Sequence, residues 1–170
     1  GLVREAMKSV KKKLGVRQTR KAPVDLPILT RLADTFSTDL QGTRDRALVL
    51  LGYAGAFRRT TLCSLDVSDL TFHRDRLEVY VRHDKSSEAR TVPLVRTGGQ
   101  YCPVRAVEAW LSEAVIDDGP VFRGFWKGGK LREGRLSSSV VAETVKRACE
   151  TAGLDPALYG GHSLRTGHIT

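Results

Sequence analysis

The apolar residues of this chain change period twice, from about 3.6 to 2 and back, which predicts helices on either side of a small sheet. Leu2, Val3, Ala6, Met7, Val10 and Leu14 recur at helical spacing before Gly15, a natural stop. Val16 to Val24 is basic and polar and reads as a linker, with Pro23 near its end. Asp25 is placed to cap a helix through Phe36, with Pro27 in its first turn. Thr43 is expected to cap the next helix, whose run from Ala47 to Ala54 is apolar nearly all round and should be buried. A shorter helical piece follows from Arg58 to about Leu65. Leu77, Val79 and Val81 then alternate with Glu78, Tyr80 and Arg82, the pattern of a half-buried strand. Thr91, Val92 and Leu94 supply its hairpin partner across a turn at His83 to Arg90, and Val67 to Phe72 a third strand. Helical spacing returns with Val104, Val107, Trp110, Leu111 and Ala114 behind Pro103. Val121 to Phe125 reads as a short extended piece, followed by a glycine-rich basic loop up to Arg135. Ser137 or Ser138 then caps a helix that Gly153 ends, and a last helix starts near His162. The expected fold is mainly α with a small three-stranded antiparallel sheet, an α+β arrangement.

Composition narrows the class. At 170 residues, with 41% hydrophobic and 28% charged, the chain has material for one domain with a real core. Ala47 to Phe57, the longest apolar stretch, is broken by glycines and falls far short of the ~20 residues that cross a bilayer. Cys63, Cys102 and Cys149 stand far apart, an odd count that fits neither a disulfide framework nor a zinc site. The reading is a soluble intracellular protein. Charge is distributed unevenly. Residues 1–21 hold eight basic side chains against Glu5 alone, a net +7, which leaves +2 for the rest of a chain whose total is +9. Such an arm is either a solvated tail or a contact for a polyanion, and the lack of a large apolar face beside the lysines disfavours a membrane.

Several familiar motifs fail. Gly124, Gly129 and Lys130 have the spacing of a phosphate-cradling loop, but Leu131 stands where Ser or Thr must hold magnesium. His73 and His83 are too isolated to ligate a metal, and no nucleophile elbow or Cys–His pair occurs. Three separated segments share one theme instead: Gly55-Ala56-Phe57-Arg58-Arg59-Thr60-Thr61-Leu62, Arg82-His83-Asp84-Lys85-Ser86 and His162-Ser163-Leu164-Arg165. Taken singly, Arg58 reads as a helix-end cation, Lys85 as a surface side chain and His162 with Arg165 as a helix-start pair. Taken together they suit a phosphodiester. Guanidinium groups grip nonbridging oxygens in pairs and stay charged at any working pH. They can balance the charge that builds on phosphorus, in the role otherwise given to a metal. Lysine can protonate a departing oxygen, and histidine titrates near neutrality and can move a nucleophile's proton.

These segments resemble the boxes of the tyrosine recombinases, the phage-integrase family. Residues 55–62 are similar to the first arginine box, Lys85 falls where the family keeps a hairpin lysine, and His162-Ser163-Leu164-Arg165-Thr166-Gly167 is similar to the second box. The resemblance implies the recombinase catalytic-domain fold (DNA breaking-rejoining), incomplete at its C-terminal end. It implies residues 1–15 as the end of an N-terminal core-binding domain, 16–24 as a basic interdomain linker and 25–170 as the catalytic domain. Arg58 and Arg165 would clamp the scissile phosphate, Lys85 would protonate the leaving 5′ oxygen, and His162 would assist the attacking tyrosine. Lys8, Lys11, Lys12, Lys13, Arg17, Arg20 and Lys21 of the arm, with Arg59, would contact DNA. The implied partner is double-stranded DNA, with a synaptic homotetramer when the protein is full length, no cofactor or metal, and a place at the nucleoid in a bacterial cytoplasm.

The match departs from the family at two points. Thr61 occupies the position of the acid that usually follows the first arginine, with Thr60 in place of serine. The nucleophilic tyrosine and another His or Trp normally follow the second box, and Thr170 is the last residue here. Tyr53, Tyr80, Tyr101 and Tyr159 are poor substitutes. The leading reading is therefore a recombinase catalytic domain whose fragment binds DNA without cleaving it. The alternative is a DNA-binding module without chemistry. A metal-dependent nuclease is poorly supported, for want of a carboxylate cluster.

Overall fold

Asp25 and Asp39 each begin a helix by accepting a backbone N–H from three residues ahead, Ile28 at 3.0 Å and Gly42 at 2.8 Å. The computed structural model describes residues 24–159, and there the helices are α1 (Leu26–Ala33), α2 (Leu40–Ala54), α3 (Arg59–Ser64), α4 (Pro103–Glu113) and α5 (Ser138–Thr151). The helices expected before Gly15 and at His162, and the arm lysines, lie outside the described residues. Thr43 does not cap α2. The helix starts three residues earlier, and the Thr43 hydroxyl donates to the Asp39 carbonyl at 3.0 Å inside the first turn. α1 ends at Ala33 rather than Phe36, because the Thr35 hydroxyl and N–H both turn back onto the Leu32 carbonyl.

Three strands follow α3: β1 (Leu70–Phe72), β2 (Arg76–Val81) and β3 (Arg90–Val95), antiparallel in that spatial order. Leu77 faces Leu94 and Val79 faces Val92, so the alternation seen in the sequence becomes one apolar face. Pro93 is tolerated because β3 is an edge strand. Residues 67–69, expected as strand, form a single 3₁₀ turn in which Asp66 and Asp69 cap one another. The glycine-rich stretch expected as a loop is instead a second hairpin, β4 (Arg123–Phe125) and β5 (Leu131–Arg135).

The core has two halves divided by α2. Ala47, Leu48 and Leu51 pack with Phe57, Leu77, Val79, Trp110 and Phe122 on one side. Val49 and Leu50 pack with α1 and α5 on the other, against Leu32, Val145 and Cys149. This is why α2 is apolar nearly all round. Burial pushes the thiols of Cys63 and Cys149 up to about 11. Gly42 shows how tightly α2 is seated, because a Cβ there would lie 1.8 Å from the Ser37 carbonyl oxygen. Gly42→Ala is expected to destabilise the protein by about 1–3 kcal/mol, since backbone must move. Urea unfolding measures it, and an unchanged midpoint would show that the 37–42 turn yields freely.

Candidate active site

α2 stops at Gly55, and the chain reverses through Ala56, whose φ of +52° puts a non-glycine residue in the left-handed region. Strain of this kind costs about 1–2 kcal/mol. It persists because Phe57 is locked into the core at 1% exposure, with its N–H on the Gly52 carbonyl at 3.0 Å. Gly55 is obligatory for the same packing, because a Cβ there would sit 2.1 Å from the Phe57 ring. The outcome is that Arg58, immediately after the anchored phenylalanine, becomes the N-cap residue of α3 with its side chain half-buried.

The turn between β2 and β3 is built around one carboxylate. Oδ1 of Asp84 accepts hydrogen bonds from the Ser86 N–H and hydroxyl, both at 2.7 Å, and from the Ser87 N–H at 2.8 Å. The Asp84 N–H closes the turn on the Ser87 carbonyl at 3.0 Å. The Ser86 hydroxyl and then its N–H hold the Asp84 carboxyl far below the usual range. Its contribution to the turn is present above a carboxylate's ordinary pKa of about 3.9 and is lost only as pH falls through the lowered folded value. Lys85 stands exposed at the tip of this pinned turn.

Arg58 and the hairpin meet. Nη1 of Arg58 donates to the Ser86 hydroxyl oxygen, next in sequence to Lys85. Ala56, Arg58, Thr61, Asp84, Ser86 and Arg90 line a cleft of about 410 Å³ between α3 and the turn. Thr61, at the position where the resembled family keeps an acid, is 8% exposed and presents no carboxylate to Arg58. Arg58 has no carboxylate partner among the described residues, which leaves its charge available to an anion. Arg59 is exposed beside it. Arg82, in the same sequence segment as Lys85, is engaged instead in fixing the hairpin root: it bonds Asp66 at 2.6 Å and Asp69 at 2.8 Å. Arg135 reaches Asp66 from β5 at 2.7 Å.

His162 and Arg165 lie outside the described residues; of the other two expected residues, Arg58 reaches Ser86, the neighbour in sequence of the exposed Lys85. Ser86, Asp84 and Arg90 are additions that sequence reasoning did not single out. The Asp-x-Ser-Ser order of 84–87 was the available signal, being a side-chain-pinned turn. Tyr101 is held by Asp34 at 2.9 Å, which raises its phenol further, and Tyr159 is buried in the second core. Among the described residues no helix is long and apolar enough to cross a membrane.

The helices and the three-stranded sheet are arranged as in tyrosine recombinase catalytic domains. The fold aligns with the XerH site-specific recombinase in its post-cleavage complex with a palindromic difH substrate at a TM-score of 0.68 and 19% identity, covering 90% of this chain and 42% of that one. It aligns with the lambda integrase dimer bound to a COC′ core site at 0.63 and 15%, covering 89% and 41%. The phage integrase family model matches residues 27–170, and the chain belongs to that family. An integrase/recombinase xerD homolog of Selenomonas ruminantium is 39% identical over 100% of this chain and 51% of its own length. A tyrosine recombinase XerC of Corynebacterium efficiens is 30% identical over 75% of this chain and 37% of its own. The chain thus spans about half or less of the curated relatives it matches.

Proposed function

We propose that this chain is the greater part of the catalytic domain of a site-specific recombinase that cleaves and rejoins double-stranded DNA through a 3′-phosphotyrosyl intermediate. The observation that supports it is Arg58 donating to Ser86, the residue that follows Lys85 in the pinned turn, which ties the proposed clamp cation to the segment carrying the proposed proton donor. Arg58 and Arg165 hold the nonbridging oxygens of the scissile phosphate and stabilise charge on phosphorus. Lys85 protonates the departing 5′ oxygen, and His162 moves the proton of an attacking tyrosine, supplied in the full-length protein by residues after Thr170. The phosphotyrosyl ester keeps the bond energy, so rejoining needs no nucleotide. The basic residues of 8–21, together with Arg59, grip the flanking DNA, residues 1–15 are the end of a core-binding domain joined to this one by the linker 16–24, and the working unit is a homo-oligomer on DNA.

A suicide duplex, nicked so that the cleaved end diffuses away, is expected to trap the full-length protein covalently at a 3′ phosphate. Absence of an adduct on its own recombination site would remove the recombinase reading. Thr61 favours a second reading, a DNA-binding relative without chemistry, because the carboxylate expected beside Arg58 is missing there. Duplex binding without any adduct is its signature.

A further inference from the structure

Thr61 is 8% exposed and offers Arg58 no carboxylate, yet Arg58 is connected to one. Its Nη1 donates to the Ser86 hydroxyl oxygen, and that hydroxyl donates in turn to Oδ1 of Asp84 at 2.7 Å. The directions are fixed by chemistry. A guanidinium only donates and an ionised carboxylate only accepts, so the hydroxyl between them accepts from one and donates to the other. The hydrogen bonds from Ser86 keep the Asp84 carboxyl far below the usual carboxylate range, so it is charged at neutral pH. Bonds in such a chain polarise one another, and a hydroxyl that donates to a charged carboxylate is a better acceptor for the guanidinium.

The relay runs beside the place where the acid is missing. Thr61 and Asp84 both line the cleft of about 410 Å³ that holds Arg58, and both line a neighbouring one of about 290 Å³ with Thr60, Ser64 and His83. Position 61 on α3 and the carboxylate on the hairpin therefore border the same space. Asp84 also accepts the N–H groups of Ser86 and Ser87, so its place in the turn does not depend on Arg58. Glu88, the other carboxylate lining the first cleft, is exposed and forms no ion pair among the described residues. Arg90 is turned to the Ser87 hydroxyl at 3.2 Å.

We propose that Asp84 is a positioning residue for Arg58, acting through Ser86 in place of the acid that position 61 lacks, so that the guanidinium is already oriented when the scissile phosphate arrives. This rests on the recombinase reading above, and it makes Thr61 compatible with chemistry. The test is single-turnover adduct formation by the full-length protein on the suicide duplex, with a gel shift for affinity. Ser86→Ala breaks the relay and leaves both backbone N–H groups on Asp84. Asp84→Asn keeps an acceptor in the turn and removes only the charge. Each is expected to slow adduct formation about ten- to a hundredfold, as when the partner that orients a metal ligand is removed, with affinity little changed. Ser86→Thr keeps the hydroxyl and Glu88→Gln keeps the relay, so both are expected to react at the parent's rate. Thr61→Glu is expected to restore most of the rate lost in Ser86→Ala, a non-additivity shown by residues that share one role. Parent rates in Ser86→Ala and Asp84→Asn would overturn the relay and leave the recombinase reading intact. So would a loss in Ser86→Ala that Ser86→Thr shares, which marks a structural serine. A loss in Glu88→Gln that Asp84→Asn does not show would assign the carboxylate to Glu88 and overturn it too. Failure of Thr61→Glu to restore the rate, where Thr61→Glu alone reacts like the parent, would overturn the substitution for the missing acid. No adduct with the parent on its own recombination site would overturn both readings.

Discussion

Arg58→Lys in the full-length protein is expected to cut the rate of covalent adduct formation by about a hundred- to a thousandfold, while DNA affinity falls by no more than a few-fold. The size follows from removing one preorganised donor from a site where charge develops. A lysine keeps the charge, so the contribution to steering and phosphate binding largely survives. What it loses is the planar fork: one edge of the Arg58 guanidinium engages Ser86, and the remaining N–H groups are left for nonbridging oxygens. An ammonium on a flexible stem cannot keep the hairpin and the phosphate in one rigid geometry. Single-turnover trapping with the suicide duplex separates chemistry from binding, and a gel shift on the same duplex supplies the affinity. A lysine variant that forms adduct within tenfold of the parent would take Arg58 out of the clamp.

The parts of this molecule written in local pattern were legible before its coordinates. Alternation at 77–81 gave the strand and its face, and the all-round apolar run of α2 gave a helix buried on both sides. Two failures have physical causes. Leu131-Arg132-Glu133-Gly134-Arg135 carries no apolar alternation, because β5 is exposed along most of its length and held by pairing with β4 and by Arg135 on the end of α3. No periodicity can announce such a strand. Thr43 and Asp39 are both good caps, and the choice between them is made by the close approach of Ser37 to Gly42, a contact that depends on the preceding turn. In the site, Arg58 and Lys85 were expected from family resemblance. The contact of Arg58 with Ser86 was not, since it is a tertiary contact between segments 28 residues apart.

Arg44 and Asp45 are neighbouring charges in α2, and each is only 3% exposed. Oδ1 of Asp45 accepts two bonds from the Arg44 guanidinium, at 3.0 and 2.8 Å, and Oδ2 accepts one from Arg147 at 3.3 Å. Arg44 in turn donates to the Arg123 carbonyl at 3.1 Å and lies 4.9 Å from the Phe125 ring centroid, fastening the second hairpin to α2. Asp45→Ala is expected to cost about 3–5 kcal/mol, because it strands a desolvated guanidinium. That is a large share of the roughly 5–15 kcal/mol by which a domain is held folded, and corresponds to a fall in Tm of about 10 °C. Replacing both charges, as Arg44→Met/Asp45→Leu, is expected to recover most of the loss, since the desolvation of both ions disappears together with their attraction. Urea unfolding of the three variants distinguishes the cases. If the single variant cost less than about 1 kcal/mol, the median for an exposed pair, solvent must reach Arg44 and the hairpin must be held elsewhere.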